Sequence, residues 1–470
     1  MCIEVEKLRL KFPESESPLF TGLDLKIGKG EKVLIVGPSG SGKSTLLNVL
    51  GGLIPDTITI PMKADRLELP KSSAYVFQDP DSQFTMPTVA EELAFVLENR
   101  QVPKEEMKRL FMEALDMVGL DVAPERAIQT LSGGMKQKLA IASALLQQAD
   151  TLFLDEPTSM LDGRSAAHLW DTVRAMWDEL TVVIIEHRVE ALWHRVDRVI
   201  LMDDAGGIAC SAPPGEMLEM HRRLLDQYGV WHPRSWDEAP HLPKIAPQSS
   251  TLMEAKNLSI RRGGRNLLTV DSLRIGKGEW ITLEGDNGTG KSSLLLALMK
   301  LIPSGGKVLF GGSRVSRTRH LDGRVYPVFQ NPELQFITNR VFDEVFINLE
   351  MHHDDRTARR ETNALLERFG LGHVAHLHPL EISTGQKRRL SVATAAGGVP
   401  DVIIFDEPTF GLDQRHAFGL LTMIHDMVKR GTSVIMITHD AEIMKRYPSR
   451  RLKIEGGRLV ERGEGPCLKQ

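Results

Sequence analysis

The chain repeats itself, and that repeat restricts its fold more than any other feature. IGKGEKVLIVGPSGSGKST at 27–45 returns as IGKGEWITLEGDNGTGKSS at 275–293. VFQDPDSQF at 76–84 returns as VFQNPELQF at 328–336, and TLFLDEPTSMLD at 151–162 returns as VIIFDEPTFGLD at 402–413. An ordered series at nearly constant spacing means two copies of one folding unit, expected at 1–222 and 251–470. Residues 223–250 read as a short trailing segment and a linker. The stretch WHPRSWDEAPHLPKIAPQSS at 231–250 carries prolines at 233, 240, 243 and 247 and no helical or strand period. Fully extended, it reaches on the order of 60 Å, so the two copies can pair within one chain.

Within each copy, short apolar strands alternate with longer helical stretches. Lys32–Val36, Thr151–Leu154 and Thr181–Ile185 are the clearest strands, and the alternation predicts an α/β unit with a mostly parallel sheet. Glu91 to Gly119 reads as helical, which places a helical insertion between the glutamine-bearing repeat and the next motif. Hydrophobic residues at 41% and charged residues at 26% fit a globular chain. The net charge of −4 gives no reason to expect a nucleic-acid partner. The three cysteines, Cys2, Cys210 and Cys467, have no metal-ligand spacing, which favours a reducing compartment. No apolar run approaches the roughly 20 residues of a membrane span, and MCIEVEKLRL lacks the apolar core of a leader. A cytoplasmic location is therefore expected, peripheral if the chain works at a membrane.

The chemistry concentrates in the repeats. Gly37, Pro38, Ser39, Gly40, Ser41, Gly42, Lys43, Ser44 and Thr45 follow an apolar strand and open a helix, the context a phosphate-cradling loop requires. Gly285, Asp286, Asn287, Gly288, Thr289, Gly290, Lys291, Ser292 and Ser293 repeat it. Glycines let the backbone curl so that N–H groups point at phosphates, and the helix N-terminus adds positive potential. Lys43 and Lys291 are expected on the β/γ-phosphates, and Ser44 and Ser292 on Mg²⁺. Asp155-Glu156 and Asp406-Glu407 each end an apolar run. The aspartates are expected to hold Mg²⁺ and the glutamates to act as general bases on water. His187 and His439 follow further strands and are assigned a γ-phosphate contact.

LSGGMKQKLAIASALL at 131–146 resembles the signature motif of ATP-binding cassette (ABC) ATPases, and the resemblance covers both halves almost end to end. It implies two P-loop nucleotide-binding domains in tandem. Each would be a RecA-like, mostly parallel sheet with an antiparallel β part and an inserted helical subdomain. It also implies ATP and Mg²⁺ as cofactors, Gln78 and Gln330 as Q-loop residues beside the catalytic groups and Mg²⁺, and Asp162 and Asp413 as D-loops. The signature residues Ser132, Gly133 and Gly134, and Ser383, Thr384, Gly385 and Gln386, would each cap ATP held by the opposite copy. Phe12 corresponds to the aromatic residue that stacks on adenine; the second copy has no aromatic there between Leu252 and Glu279, which leaves Arg261 or Arg262. Thr384, in place of a glycine, adds bulk where backbone should approach ATP, so two competent but unequal sites are expected.

FQDPDSQF with TVAEELAFVLEN, FQNPELQF with RVFDEVFINLE, and the segment 211–233 look like the ATPases of energy-coupling factor (ECF) importers. This finer resemblance implies an integral membrane scaffold (T component) and a substrate-binding membrane protein (S component) as partners. It further implies vitamin, thiamine-precursor or metal-ion uptake, one copy of the chain per transporter, and a place on the cytoplasmic face of the membrane. Asp79 and Asp81, and Asn331 and Glu333, follow the two glutamines, where a solvated turn capping the next helix is one reading. The resemblance implies instead that Asp81 and Glu333 meet arginines on the scaffold's coupling helices. Tandem ATPases of sugar importers lack the doubled FQDP-type segment. Non-transport ATPases of translation or DNA repair carry charged helical linkers, coiled coils or zinc-binding cysteines that have no counterpart in this sequence.

Overall fold

The computed structural model describes residues 3–462, except Glu14, Glu16, Ser159, Met160, Asp162, Met176, Pro247, Asn287, Asp322 and Val399. Asp162 and Asn287 thus lie outside the described residues, as does the side chain of Thr384. Two compact units divide the chain: Met1–Glu238 with Asp413–Arg415, and Ala239–Leu412 with His416–Gln470.

In the first unit, six strands form one sheet in the order 208–212, 198–202, 32–36, 181–185, 151–155, 73–76. All pair in parallel except Ile208–Ala212 at the edge. A parallel sheet covered on both faces needs strands that are apolar along their whole length. Thr151–Asp155 and Thr181–Ile185 are accordingly buried at every position. Alternation along Lys32–Val36 splits the core in two. Val33 and Ile35 pack with the small antiparallel sheet built on Ile3–Leu10 and Phe20–Ile27. Leu34 and Val36 face the opposite layer, with Leu93, Leu139, Trp170 and Trp193.

The expected helical insertion is present but broken. Val89–Asn99 and Lys104–Met117 replace one continuous stretch, because Gln101 takes a left-handed φ of 59° and Pro103 caps the second helix. A third helix, Gly133–Leu146, packs against both and carries the signature. The proline-rich stretch also departs from the sequence reading: its first part is folded. Ser235–Glu238 forms a 3₁₀ turn, and the buried His232 ring places Nε2 3.0 Å from Asp226 Oδ1 while Nδ1 accepts from the Arg234 N–H.

The second unit repeats the plan with a different join. Its parallel strands, Trp280–Glu284, Ser433–Ile437, Val402–Asp406 and Val325–Val328, are continuous with the antiparallel part through Arg450–Glu455 and Arg458–Arg462 in one ten-stranded sheet. Three helices, Val341–Glu350, Asp355–Arg368 and Thr384–Gly397, form the helical part.

Phe153, fully buried in the strand that carries the first carboxylate pair, stacks on Tyr75 with ring centroids 4.9 Å apart. Phe153→Ala should destabilise the first unit by about 3–5 kcal/mol, read from denaturant unfolding. A loss under about 1 kcal/mol would contradict this packing.

Candidate active site

Each phosphate-type loop leaves its strand and enters its helix at a glycine. Gly42 and Gly290 stand at the helix N-caps with φ of 88° and 100°, a left-handed geometry that side chains resist. At Gly42 a Cβ would also lie 3.0 Å from Leu19 and Phe20. Lys43 and Lys291 are the first helical residues, and both are buried. Lys43 Nζ donates to the carbonyls of Gly37 (2.9 Å) and Pro38 (2.8 Å); Lys291 Nζ donates to those of Gly285 (2.6 Å) and Asp286 (3.1 Å). Burial pushes the Lys43 ammonium below its ordinary range, opposed by the charges of Glu156 and Asp155. The loop thus holds a buried lysine at a helix N-terminus, where first-turn N–H groups have no intrahelical acceptor and polyphosphate would lie.

Asp155 and Asp406 end their strands next to the loop serines. Ser292 Oγ donates to Asp406 Oδ2 at 2.6 Å. Burial lifts the Asp155 carboxyl to about 6, against a hydrogen bond from Ser44, and raises Asp406 in the same way. Asp155 Oδ1 is buried and has no hydrogen-bond partner among the described residues. A hydroxyl and a carboxylate with an open oxygen make a donor set that fits Mg²⁺, a cation that prefers few protein oxygens plus phosphate. Bound there, the ion would supply charge neutralisation at the β- and γ-phosphates.

The next residue is held more tightly still. Glu156 and Glu407 adopt left-handed φ values of 47° and 51°, uncommon for a side-chain-bearing residue and typical of functional sites. The N–H of Glu156 donates to Ile185 O (2.9 Å) and that of Glu407 to Ile437 O (3.1 Å), which ties each turn to the neighbouring strand. Glu156 Oε1 lies 2.9 Å from His187 Nε2, and Oε2 accepts from Gln78 Nε2 at 2.8 Å. Burial works against the Glu156 carboxylate, but the hydrogen bond and charge of His187, with Lys43 and Gln78, hold it below its usual range. It is therefore ionised and aimed, as a general base requires. In the second copy His439 Nε2 lies 3.5 Å from Glu407 Oε1. Gln78, Glu156 and His187, far apart in sequence, thus meet in space. Gln78 sits on the glutamate here, where the sequence reading also assigned it to Mg²⁺.

Ser132 and Ser383 cap the signature helices: their oxygens accept the N–H of Met135 and Gln386, and Gln386 returns a bond to the Ser383 N–H at 2.8 Å. Phe12 is partly exposed at the end of the first strand, and Arg261 and Arg262 are exposed. Asp79 and Asn331 cap the turns that follow the Q-loop glutamines. Asp81 and Glu333 are not caps. They pair with lysines on the signature helices, Lys136 (2.5 Å) and Lys387 (2.6 Å).

Glu186 was missed by the sequence reading. Its buried carboxylate accepts from the Thr158 N–H (3.1 Å), the Thr158 hydroxyl and the His187 N–H (2.9 Å). It fastens the segment after Glu156 to the histidine loop, and burial raises its pKa. A glutamate directly before His187, after the apolar run Val182–Ile185, was the available signal. Its counterpart, Thr438, removes that signal from the repeat.

A sequence profile described as ABC transporter matches residues 20–159 and 268–410. The chain belongs to this family. "Putative HMP/thiamine import ATP-binding protein YkoD" of Bacillus subtilis (strain 168) is 36% identical over an alignment of 485 residues, covering 95% of this chain and 88% of that protein. "Putative ABC transporter ATP-binding protein VV2_1533" of Vibrio vulnificus (strain CMCP6) is 32% identical over 523 residues, covering 98% and 89%. Among solved structures, the archaeal ribosome recycling factor aABCE1, in complex with the stalk protein aP1, matches at a TM-score of 0.70. It is 22% identical and covers 97% of this chain and 90% of its own. The RNase-L Inhibitor matches at 0.69 and 22%, covering 98% and 91%. At that identity the likeness is one of fold: tandem ABC cassettes. Membership of the family implies ATP binding and hydrolysis with Mg²⁺.

Glu156→Gln combined with Glu407→Gln should lower turnover by about 10²-fold or more, the scale of a lost general base, with ATP affinity kept within threefold. Near-normal turnover would remove the glutamates from that role.

Proposed function

We propose that this ABC ATPase is the energy-supplying subunit of an ECF-type importer for a thiamine precursor, another vitamin or a metal ion. It would work on the cytoplasmic face of the membrane with a T-component scaffold and an S-component substrate binder. The single observation that carries this reading is the surface beside the second Q-loop. Leu334, in the turn that follows Gln330, and Ile337, two residues beyond that turn, are 74% and 77% exposed, and Met351 at the end of the next helix is 73% exposed. Large apolar side chains exposed to this degree need a partner to cover them, which points to an interaction site. A membrane protein's cytoplasmic helix, apolar with basic residues, would cover them while Glu333, exposed beside Lys387, offers carboxylate oxygens to its arginines; at the first cassette Asp81, exposed beside Lys136, would do the same for a second such helix. No helix among the described residues is long and apolar enough to cross a membrane, so force would have to pass through such a docked partner. The 36% identity to an import ATP-binding protein over nearly the whole chain supports the same reading.

In this reading the two cassettes pair within the chain, so one copy serves one transporter. The signature at Ser132–Gly134 closes over nucleotide held by Lys291. The signature at Ser383–Gln386 closes over nucleotide held by Lys43. ATP then joins the cassettes, and hydrolysis lets them part. The surfaces presented to the scaffold are unequal: Ser82 and Thr85 stand where the second copy has Leu334 and Ile337.

Leu334→Asp with Ile337→Asp should reduce co-purification of the co-expressed membrane scaffold at least fivefold and abolish uptake. Basal ATP hydrolysis of the isolated chain should stay within twofold. Undiminished co-purification and uptake would overturn the docking assignment.

A further inference from the structure

The two Q-loops share most of their contacts, which makes the differences at the signature helix informative. One is that the Gln335 amide donates to Ser391 O on that helix (3.4 Å), whereas the Gln83 amide donates to Tyr75 O (3.2 Å). In each, the phenylalanine N–H donates to the side-chain oxygen of a glutamine six residues on: Phe77 to Gln83 (3.3 Å) and Phe329 to Gln335 (3.2 Å). In each, Asp79 or Asn331 caps the following turn, and a carboxylate in that turn reaches the lysine at the start of the signature helix. The next residue of that helix differs. In the second cassette it is Arg388, almost fully buried, whose guanidinium donates to the carbonyls of Phe329 (2.8 Å) and Gln330 (2.6 Å). In the first it is Gln137, fully buried, whose amide oxygen and nitrogen have no hydrogen-bond partner among the described residues.

A guanidinium planted on two consecutive carbonyls grips a backbone in position and in orientation. Here it does so in a desolvated setting. Burial drops the Arg388 pKa to about 10, against the pull of Asp406 and Glu407, so the carbonyls receive charge-assisted bonds that water does not compete for. From this difference we infer that Arg388 is a positioning residue that locks the second Q-loop to the signature helix of its own cassette. The first Q-loop, for which the Lys136–Asp81 pair is the polar attachment to that helix among the described residues, moves more independently of it. In the second cassette, displacement of the helix carries the backbone of Gln330 with it. In the first, Gln78 reaches Glu156 from a looser base. This makes the two sites mechanically unequal, independently of Thr384, and it does not depend on what the ATPase drives.

Amide hydrogen exchange on the full chain reads the lock directly. Peptides covering 329–336 should exchange about tenfold more slowly than those covering 77–84, the scale of one charge-assisted hydrogen bond. Arg388→Gln, which installs a residue that the first cassette already accommodates, should bring the two within threefold. Gln137→Arg should slow 77–84. In steady-state kinetics, Arg388→Gln should lower kcat at least threefold with the KM for ATP unchanged within twofold, and Arg388→Lys should restore part of the loss. Equal exchange of the two loops in the unmodified chain, or exchange at 329–336 that Arg388→Gln leaves unchanged, would overturn the inference. A raised KM with unchanged kcat would overturn it as well.

Discussion

The carboxylate of Glu156, gripped between His187 and Gln78, is the interaction on which the rest of the first cassette depends. To reach both partners the residue must turn sharply out of a fully buried strand. It does so in a left-handed conformation held by its N–H on Ile185 and by the Glu186 carboxylate beneath. Such a turn costs of order 1–3 kcal/mol and persists only because strands on both sides are packed into the sheet. The parallel sheet is therefore more than a scaffold: it supplies the rigidity that makes one strained carboxylate possible. Chemistry, strain and core burial are linked through a single residue, and the same left-handed turn recurs at Glu407.

What separates the two halves lies around that shared centre. Glu186 braces the first histidine loop where the second has Thr438, whose hydroxyl instead accepts the Asp440 N–H. Arg388 reaches the second Q-loop where the first has Gln137. Exposed Leu334 and Ile337 stand in the second copy where the first has Ser82 and Thr85. Each cassette is thus braced at a different point, one near its histidine and the other near its glutamine. A duplicated unit joined in one chain can diverge this way because each copy keeps Lys, Asp, Glu, Gln and His while residues around them vary.

The sequence made legible whatever is written in contiguous strings. The phosphate loops, the strand-end carboxylates and the capping Asp79 depend on neighbours within a few residues, so local pattern sufficed. That Gln78, Glu156 and His187 would meet could be expected because each follows a parallel strand, and the carboxyl ends of such strands share one edge. The remainder depended on distant partners. Lys136 lies far along the chain from Asp81, and Arg388 is farther still from Phe329, so neither pairing has a sequence signature. The sequence offered Asp81 and Glu333 to a helix cap or to an outside partner, because an internal lysine cannot be seen without the helix packing. The break at Gln101 had a local signal that was passed over, Pro103 within ENRQVPKEE where the apolar period lapses. The folded start of the proline-rich stretch rests on hydrogen bonds of His232 to Asp226, Arg234 and Ser235 that follow no helical or strand period.

The central claim is that Gln78 and His187 act through one carboxylate, and a double-mutant cycle tests it most directly. Gln78→Ala, His187→Ala and the pair are compared by kcat for ATP hydrolysis in the full chain. If both side chains work by holding Glu156, the double substitution should lose little more than the worse single one, a coupling of about 1 kcal/mol or more. Losses that simply multiply, with a coupling near zero, would mean that the two side chains act on the reaction separately, and the shared carboxylate would not be the centre of this site.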